Sequence, residues 1–319
     1  MIGLSVLLLW LTFRNVNITD VWDKIKAAKF GWVLLSMAFA FFAIVSRAYR
    51  WNMLIESSGY KPLLTNSTYA VLFAYLANLA FPRLGEVTRC GALSKKENIP
   101  FDVLLGTVIV ERAIDVICLL FSIALVFMLE FQTMGNFLYE KVFKGIGASI
   151  NMTSVIIAML VIVGAVITTR FLIKSNASSG FVIKIRKLVV GVVSGLSSIK
   201  KIRNLPVFIF HTFFIWLMYY FMIYVCFFSL PATSLLGIKE CFLILVAGGL
   251  GMSAPAPGGI GAYHKLVSEG LALYDVPISD GVAFATLLHT SQIVEMVVCG
   301  VFALIMLGTG TSRISKTAA

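Results

Sequence analysis

The stretch from Phe101 to Phe131 reads FDVLLGTVIVERAIDVICLLFSIALVFMLEF, and it decides which class of fold the chain adopts. Apart from one acid near each end, its apolar run is interrupted by Glu111, Arg112 and Asp115. About 20 apolar residues in a helix cross the ~30 Å hydrocarbon core of a bilayer, and a helix satisfies its own backbone hydrogen bonds there. The stretch therefore predicts a membrane-spanning helix that carries charged residues ~15 Å from its start.

The composition of the whole chain also indicates a membrane protein. Of its 319 residues, 59% are hydrophobic and 13% are charged, whereas soluble domains carry about 25% charged residues. This balance excludes a soluble enzyme, a secreted disulfide scaffold and a disordered chain. Because the apolar runs are long and do not alternate, they favour helices over an outer-membrane barrel. We predict an all-α, polytopic integral membrane protein that forms a single transmembrane domain over residues 1–319.

The net charge is +11, from 26 Lys and Arg against 15 Asp and Glu. The basic residues lie mainly between the apolar runs, where they set the orientation of the chain and attract anionic lipids. We therefore expect phospholipids and anionic lipid headgroups as partners, and no nucleic acid.

The apolar runs predict about six full transmembrane helices. Arg47, Arg50 and Trp51 come at the end of the second run, where we expect a membrane edge at which the basic side chains reach lipid phosphates. Residues 17–29 predict an amphipathic helix at the interface, and residues 174–205 a cytoplasmic basic amphipathic segment. The six predicted spans are Ile2–Phe13, Gly31–Ile55, Phe101–Phe131, Ile146–Ile173, Pro206–Leu230 and Val282–Leu307.

Two further apolar segments are too short for a comfortable crossing and are broken by Pro and Gly. Thr65–Ala80 stops at Phe81-Pro82, and Glu240–Leu250 runs into the Gly- and Pro-rich residues 251–261. Both predict re-entrant segments, which makes residues 1–131 and 146–307 two half-repeats with matching order. If each broken segment enters and leaves the membrane on the same side, each half crosses the membrane three times. The second half is then inverted relative to the first, as in many transporters. The distribution of basic residues leaves open whether residues 65–81 span and on which side the amino terminus lies.

Glu111, Arg112 and Asp115 form the most informative polar cluster. Glu111 and Asp115 share a helix face, and Arg112 precedes Asp115 by three residues, so the two acids can flank or share one base. Ionised groups at this depth usually face a cavity and serve a transport path. The alternative is a charge cluster that only fixes helix packing.

The first broken segment offers candidate binding residues of its own. Pro82 and Gly85 allow the chain to turn at membrane depth, provided that protein or water surrounds it. Arg83 and Arg89 then present forked donors to a phosphodiester, with Glu86 between them. The alternative is an ordinary aqueous loop with exposed charges.

The second broken segment predicts an anion site. A glycine-rich turn that leads into a helix offers backbone N–H groups to an anion, and the alternative is a structural tight turn. Glu295, an acid inside the last span, is a candidate for a proton or cation path. His211, His264 and His289 show no metal-binding spacing, so we expect neither a metal nor a cofactor. The candidate residues of the second broken segment are Pro255, Pro257, Gly258, Gly259, Gly261, His264 and Lys265.

Three stretches carry a family resemblance: NLAFPRLGEVTR at residues 78–89, VERAID at residues 110–115 and APAPGGIG at residues 254–261. They resemble, in order, the transmembrane region of lysylphosphatidylglycerol synthases, the flippase half of multiple-peptide-resistance-factor proteins. The resemblance implies a domain that moves aminoacylated phosphatidylglycerol between leaflets. It also implies functional roles for Arg83, Gly85, Glu86 and Arg89, for the Glu111–Arg112 pair with Asp115, and for the turn at residues 255–261. Because no synthase domain follows residue 307, we expect a stand-alone member.

The leading hypothesis is a flippase-like protein, not an enzyme, that translocates or handles a phospholipid with an anionic or aminoacylated headgroup in a bacterial inner membrane. One alternative is a membrane glycosyl or headgroup transferase that acts on a lipid-linked substrate, with Glu111 or Glu86 as base. The other is a non-catalytic lipid-binding scaffold. The sequence leaves the oligomeric state open between a monomer and a homodimer.

Overall fold

The computed structural model describes residues 2–14, 16–81, 84–130 and 202–309, and all regular structure within these ranges is helical. Two short 3₁₀ turns, Pro231–Thr233 and Pro257–Gly259, join helices of the second half. The α-helices are α1 (Ile2–Phe13), α2 (Ile18–Lys26), α3 (Phe30–Glu56), α4 (Leu64–Ala80), α5 (Leu84–Glu97), α6 (Phe101–Leu129), α7 (Leu205–Phe227), α8 (Ile238–Ser253), α9 (Ala262–Ala272) and α10 (Ile278–Gly308).

Four of these helices are long and apolar enough to cross a membrane: α3, α6, α7 and α10. The chain is therefore a multi-pass membrane protein. The first predicted span, α1, has only 12 residues. The predicted span Ile146–Ile173 and residues 174–201 of the basic segment lie outside the described residues, so the predicted number of six spans stays a prediction.

The amphipathic helix predicted over residues 17–29 is α2, and it is attached to the start of α10. The side chain of Asn17 caps α2 by accepting a hydrogen bond from the Thr19 backbone N–H. Lys24 donates to Ser279 Oγ at 2.7 Å and to Asp280 Oδ2 at 2.8 Å. Trp22 is exposed on the other side of the helix, as expected for a helix that lies at the interface.

Each half contains a pair of short helices that reverse the chain. In the first half, α4 ends at Ala80 and α5 begins at Leu84, so the break falls where Pro82 predicted it, although Pro82 and Arg83 themselves lie outside the described residues. In the second half, α8 continues through Gly251 to Ser253, three residues beyond the predicted end at Leu250. The break between α8 and α9 lies at residues 254–261, where Gly258, Gly259 and Gly261 have positive φ.

The same turn precedes the long last helix of each half. Asn98 and Asp275 have φ angles of 53° and 58°, a left-handed conformation that Asn and Asp tolerate. Two residues later, Pro100 and Pro277 form the N-caps of α6 and α10. The order long helix, two short helices, long helix therefore occurs twice, as α3 to α6 and as α7 to α10.

Helices of the two halves pack against each other throughout the fold. The long helices α3 and α7 lie side by side, α4 packs against α10, and α6 packs against α8. Within each half, the paired short helices pack together as α4 with α5 and α8 with α9. This arrangement brings α3, α4, α5 and α6 around one polar site.

The close packing of α4 and α5 depends on Gly85. A Cβ at this position would collide with the Ala74 backbone oxygen and with the Asn78 side chain, which accepts a hydrogen bond from the Gly85 N–H at 2.7 Å. Gly91 lies two turns further along the same helix, and a Cβ there meets nothing within 4 Å. The two glycines therefore form a matched pair on one helix.

We predict that Gly85→Ala destabilises the fold by about 1–3 kcal/mol, because the added methyl group overpacks the helix pair. Gly91→Ala serves as the control and should stabilise it by about 0.5–1 kcal/mol, because alanine is the better helix former. Unfolding in mixed detergent micelles measures both changes. Equal effects of the two substitutions would contradict the close approach at Gly85.

Candidate functional site

Four arginines from three helices surround two acids on α6. Asp115 accepts hydrogen bonds from Arg47 Nη2 at 2.9 Å and from Arg50 Nη2 at 2.6 Å. Both arginines belong to α3, so these bonds connect α3 to α6 across the bundle. The carboxylate of Asp115 is thereby held between two guanidinium groups.

Glu111 is the centre of the same network and has no exposed side-chain surface. Its Oε2 lies 3.0 Å from Arg89 Nη1, and its Oε1 lies 2.6 Å from Arg112 Nη2. The Nη2 atom of Arg112 is also 3.3 Å from Asp115 Oδ2. Arg112 therefore contacts both acids, which is the arrangement that the helical spacing allows. We call Arg47, Arg50, Arg89, Arg112, Glu111 and Asp115 the arginine cluster.

The side chains of Arg47 and Arg50 do not extend to lipid phosphates, so that part of the prediction is wrong, whereas the predicted membrane edge stays a prediction. Arg47, Arg50 and Trp51 are buried, and Arg50 and Trp51 have no exposed surface. Arg47 and Arg50 face α6 because a buried guanidinium group needs an anionic partner, and Asp115 provides one. The indole of Trp51 donates to Thr107 Oγ1 at 2.9 Å, and its ring lies 4.6 Å from the guanidinium carbon of Arg89.

A small cavity of about 40 Å³ opens beside the arginine cluster. This volume has room for a few water molecules. Buried polar atoms of its walls lack hydrogen-bond partners among the described residues, namely Arg47 Nε, Arg89 Nη2, Arg112 Nε and Glu86 Oε2. Orphaned buried polar atoms are costly, so these groups are suited to hydrogen-bond a ligand or water in the cavity. The lining residues are Arg47, Val71, Ala74, Tyr75, Asn78, Gly85, Glu86, Arg89 and Arg112.

The charges around this cavity do not cancel. The four arginines of the cluster face three acids, Glu86, Glu111 and Asp115. With all of these groups ionised, the described part of the site carries one net positive charge. A low-dielectric environment makes such an excess costly, and a bound anion removes the cost.

The glycine-rich turn forms a second polar group of contacts. The N–H of Gly261 donates to His264 Nδ1 at 3.3 Å, and that of Gly259 donates to the Ala256 oxygen at 3.0 Å. His289 Nε2 lies 2.9 Å from the Gly258 oxygen. These N–H groups are occupied by internal acceptors, so an anion-binding role of the turn stays a prediction.

The structure thus assembles some of the sequence-predicted residues and leaves others apart. Glu86, Arg89, Glu111, Arg112 and Asp115 meet at the arginine cluster and its cavity. His264 and the turn from Pro255 and Pro257 to Gly261 pack with His289, while Lys265 pairs with Glu269 at 2.8 Å. Glu295 is buried in α10, and neither group contains it. Arg83 and Pro82 lie outside the described residues.

Sequence reasoning missed four residues of the site: Arg47, Arg50, Tyr75 and Asn78. The two arginines are spaced by three residues on α3, which places them on one face, but this spacing does not say what the face contacts. Tyr75 carries no signal in the sequence, and Asn78 lies in the first stretch of the family resemblance, which implies no role for it.

These features define a class: a multi-pass helical membrane protein with a buried, cation-rich polar site. The family model for the lysylphosphatidylglycerol synthase TM region matches residues 1–300 of the chain. The chain therefore belongs to this family, and its function relates to membrane lipids. A search of curated proteins finds no significant match.

Proposed function

We propose that the protein translocates a phospholipid across the membrane and that the phosphate of the headgroup enters the cavity beside the arginine cluster. The observation that carries this proposal is the net positive charge of the site, combined with the unpaired donors Arg89 Nη2 and Arg112 Nε at the cavity. Guanidinium groups bind phosphate oxygens through short, charge-assisted hydrogen bonds.

The balance of charge favours a phosphodiester. One phosphodiester carries a single negative charge, which neutralises the excess charge of the described site. Anionic and aminoacylated phospholipids share this group, and the proposal covers both. The desolvation cost of the headgroup phosphate is then offset by pairing with Arg89 and Arg112, while the acyl chains remain in the lipid.

The lengths of the short helices support a re-entrant architecture. As helices, α4 and α5 extend ~25 Å and ~21 Å, and α8 and α9 ~24 Å and ~16 Å, all shorter than the ~30 Å hydrocarbon core. In this proposal, the two helix pairs enter and return on the same side, and the two halves are inverted relative to each other. In this proposal, the protein catalyses no reaction. The headgroup enters the site from the bilayer of a bacterial inner membrane.

The contacts of Glu111 make it a poor candidate for the general base of a transferase. Its carboxylate is engaged by Arg89 and Arg112 within 3.0 Å, so both of its oxygens already have cationic partners. A base in this position would have to accept a proton against four guanidinium groups. A binding role for the cluster therefore fits the geometry better than proton abstraction.

We predict that Arg112→Ala slows lipid translocation roughly 10- to 100-fold, because one charge-assisted hydrogen bond to phosphate contributes about 1.5–3 kcal/mol. The protein is reconstituted into vesicles that contain fluorescently labelled phosphatidylglycerol, and the accessibility of the label to a membrane-impermeant quencher reports the movement. Arg112 is partly exposed, so the variant should fold, which size-exclusion chromatography checks.

Lys26→Ala is the matched control, because Lys26 is an exposed cation at the interfacial helix. It should leave the rate unchanged, and Arg112→Lys should give an intermediate rate, because lysine keeps the charge but loses the forked geometry. Wild-type vesicles that scramble lipid no faster than empty vesicles would contradict the proposed function. An unchanged rate in Arg112→Ala would remove the arginine cluster from it.

A further inference from the structure

Glu295 is an acid near the middle of the long helix α10. It lies ~25 Å from the start of the helix, and its side chain is 6% exposed. Both of its carboxyl oxygens are buried and lack a hydrogen-bond partner among the described residues. Buried acids in membrane helices usually pair with a cation or serve a path for ions or protons.

The described helices around α10 bring no cation to Glu295. Lys24 of α2 pairs with Asp280, Arg47 and Arg50 of α3 pair with Asp115, and Lys265 of α9 pairs with Glu269. On α10 itself, Cys299 lies one turn further on. Charged residues are absent from α4 and α7, whose titratable side chains are Tyr69, Tyr75, His211, Tyr219, Tyr220, Tyr224 and Cys226.

This environment contrasts with that of Glu111. Glu111 is equally buried but is paired with Arg89 and Arg112, so its negative charge is compensated. An uncompensated carboxylate inside a membrane helix costs several kcal/mol, and binding one proton removes that cost without any other partner. A carboxyl group in such a place is suited to exchange a proton whenever water reaches it.

The helix that carries Glu295 also contacts the cavity wall and the glycine-rich turn. The helix α10 packs along α4, whose residues Val71, Ala74, Tyr75 and Asn78 line the cavity. Six residues before Glu295, His289 contacts the backbone oxygen of Gly258 in the break between α8 and α9. Helix α10 therefore contacts both pairs of short helices.

We propose that Glu295 is the proton-binding residue that couples lipid translocation to proton movement. Glu295 takes one proton from water on one side of the membrane and releases it to water on the other side in each cycle, so charge and atoms balance. This inference deepens the proposed function and rests on it.

Accumulation of labelled phosphatidylglycerol in one leaflet tests the coupling. With one proton per lipid, a gradient of one pH unit supports a leaflet ratio of up to about tenfold. Wild-type protein should reach a ratio that grows with the gradient. Glu295→Gln should give a ratio near one at every gradient. Glu56→Gln, at an exposed acid that ends α3, should behave as wild type. A gradient-dependent ratio in Glu295→Gln would overturn the proposal.

Infrared difference spectroscopy provides a second readout that needs no lipid flux. Carboxyl groups of other residues also contribute carbonyl stretching bands, so the test is the difference between variants: wild-type protein and Glu56→Gln should share a pH-dependent component that is missing from Glu295→Gln. Identical carboxyl components in wild-type protein and Glu295→Gln would overturn the assignment of the proton to Glu295. Wild-type protein that shows this pH-dependent component but moves no lipid would overturn the coupling together with the proposed function, while it would support Glu295 as a proton-binding residue.

Discussion

Replacing Glu111 with alanine is expected to destabilise the folded protein by about 3–5 kcal/mol. The carboxylate has no exposed surface and lies within 3.8 Å of four arginines, the closest being Arg112 at 2.6 Å. Without it, the described residues leave those guanidinium groups with Asp115 and Glu86 as anionic neighbours. Removing one member of a buried ion pair leaves uncompensated charge in a low-dielectric interior, and this accounts for the large effect.

The free energy of unfolding, measured by titration with SDS in mixed micelles, reports this loss. Glu269→Ala is a matched control, because Glu269 pairs with Lys265 at 2.8 Å but both side chains are partly exposed. Partly exposed ion pairs of this kind contribute less than about 1 kcal/mol, so the control should change little. A change of under 1 kcal/mol in Glu111→Ala would show that the cluster is solvated rather than buried.

Replacing Trp51 with alanine is expected to cost about 3–5 kcal/mol, which is typical for the deletion of a buried large aromatic side chain. The indole has no exposed surface, and it packs on the guanidinium group of Arg89 at 4.6 Å. Its removal leaves a cavity next to Arg89 and frees this arginine from its aromatic neighbour. Lipid translocation should therefore slow in the same variant, because Arg89 no longer holds its place at the cavity.

Trp51→Phe separates the two contributions of the indole. Phenylalanine keeps an aromatic face for Arg89 but cannot donate to Thr107, so the expected loss is about 1 kcal/mol for the hydrogen bond. Thermal unfolding in detergent measures both variants side by side. If the phenylalanine and alanine variants lose the same stability, the packing of Arg89 on the ring contributes nothing.

The long helices could be predicted from the sequence because length and hydropathy are local properties. The predicted span Gly31–Ile55 lies within α3, Phe30–Glu56. The sequence predicts the end of α8 three residues too early, because Gly251 indicates a helix break while the helix continues to Ser253. A Cβ at Gly251 would lie 2.7 Å from Tyr263 Cα, so this glycine allows α9 to pack closely. That packing outweighs the cost of about 1 kcal/mol for glycine in a helix.

The arginine cluster could be predicted only in part. Glu111, Arg112 and Asp115 stand out because charges inside an apolar run are rare, and their mutual contacts follow from helical spacing. Arg47 and Arg50 could not be assigned, since a basic residue near the end of a span can extend to the lipid surface or turn inward. Only the packing of α3 on α6, which brings Asp115 to these arginines, decides between the two.

The matching turns before α6 and α10 relate the acids and the arginine on α6 to a corresponding stretch of α10. The spacing that relates Asn98 to Asp275 and Pro100 to Pro277 also aligns Glu111, Arg112 and Asp115 with Leu288, His289 and Gln292. Three ionic side chains on α6 therefore correspond to three uncharged or weakly basic ones on α10. In the proposed function, a cargo phosphate therefore finds the arginines in the first half of the protein but no ionic counterpart at the corresponding positions of the second, so the free energy along its path is asymmetric.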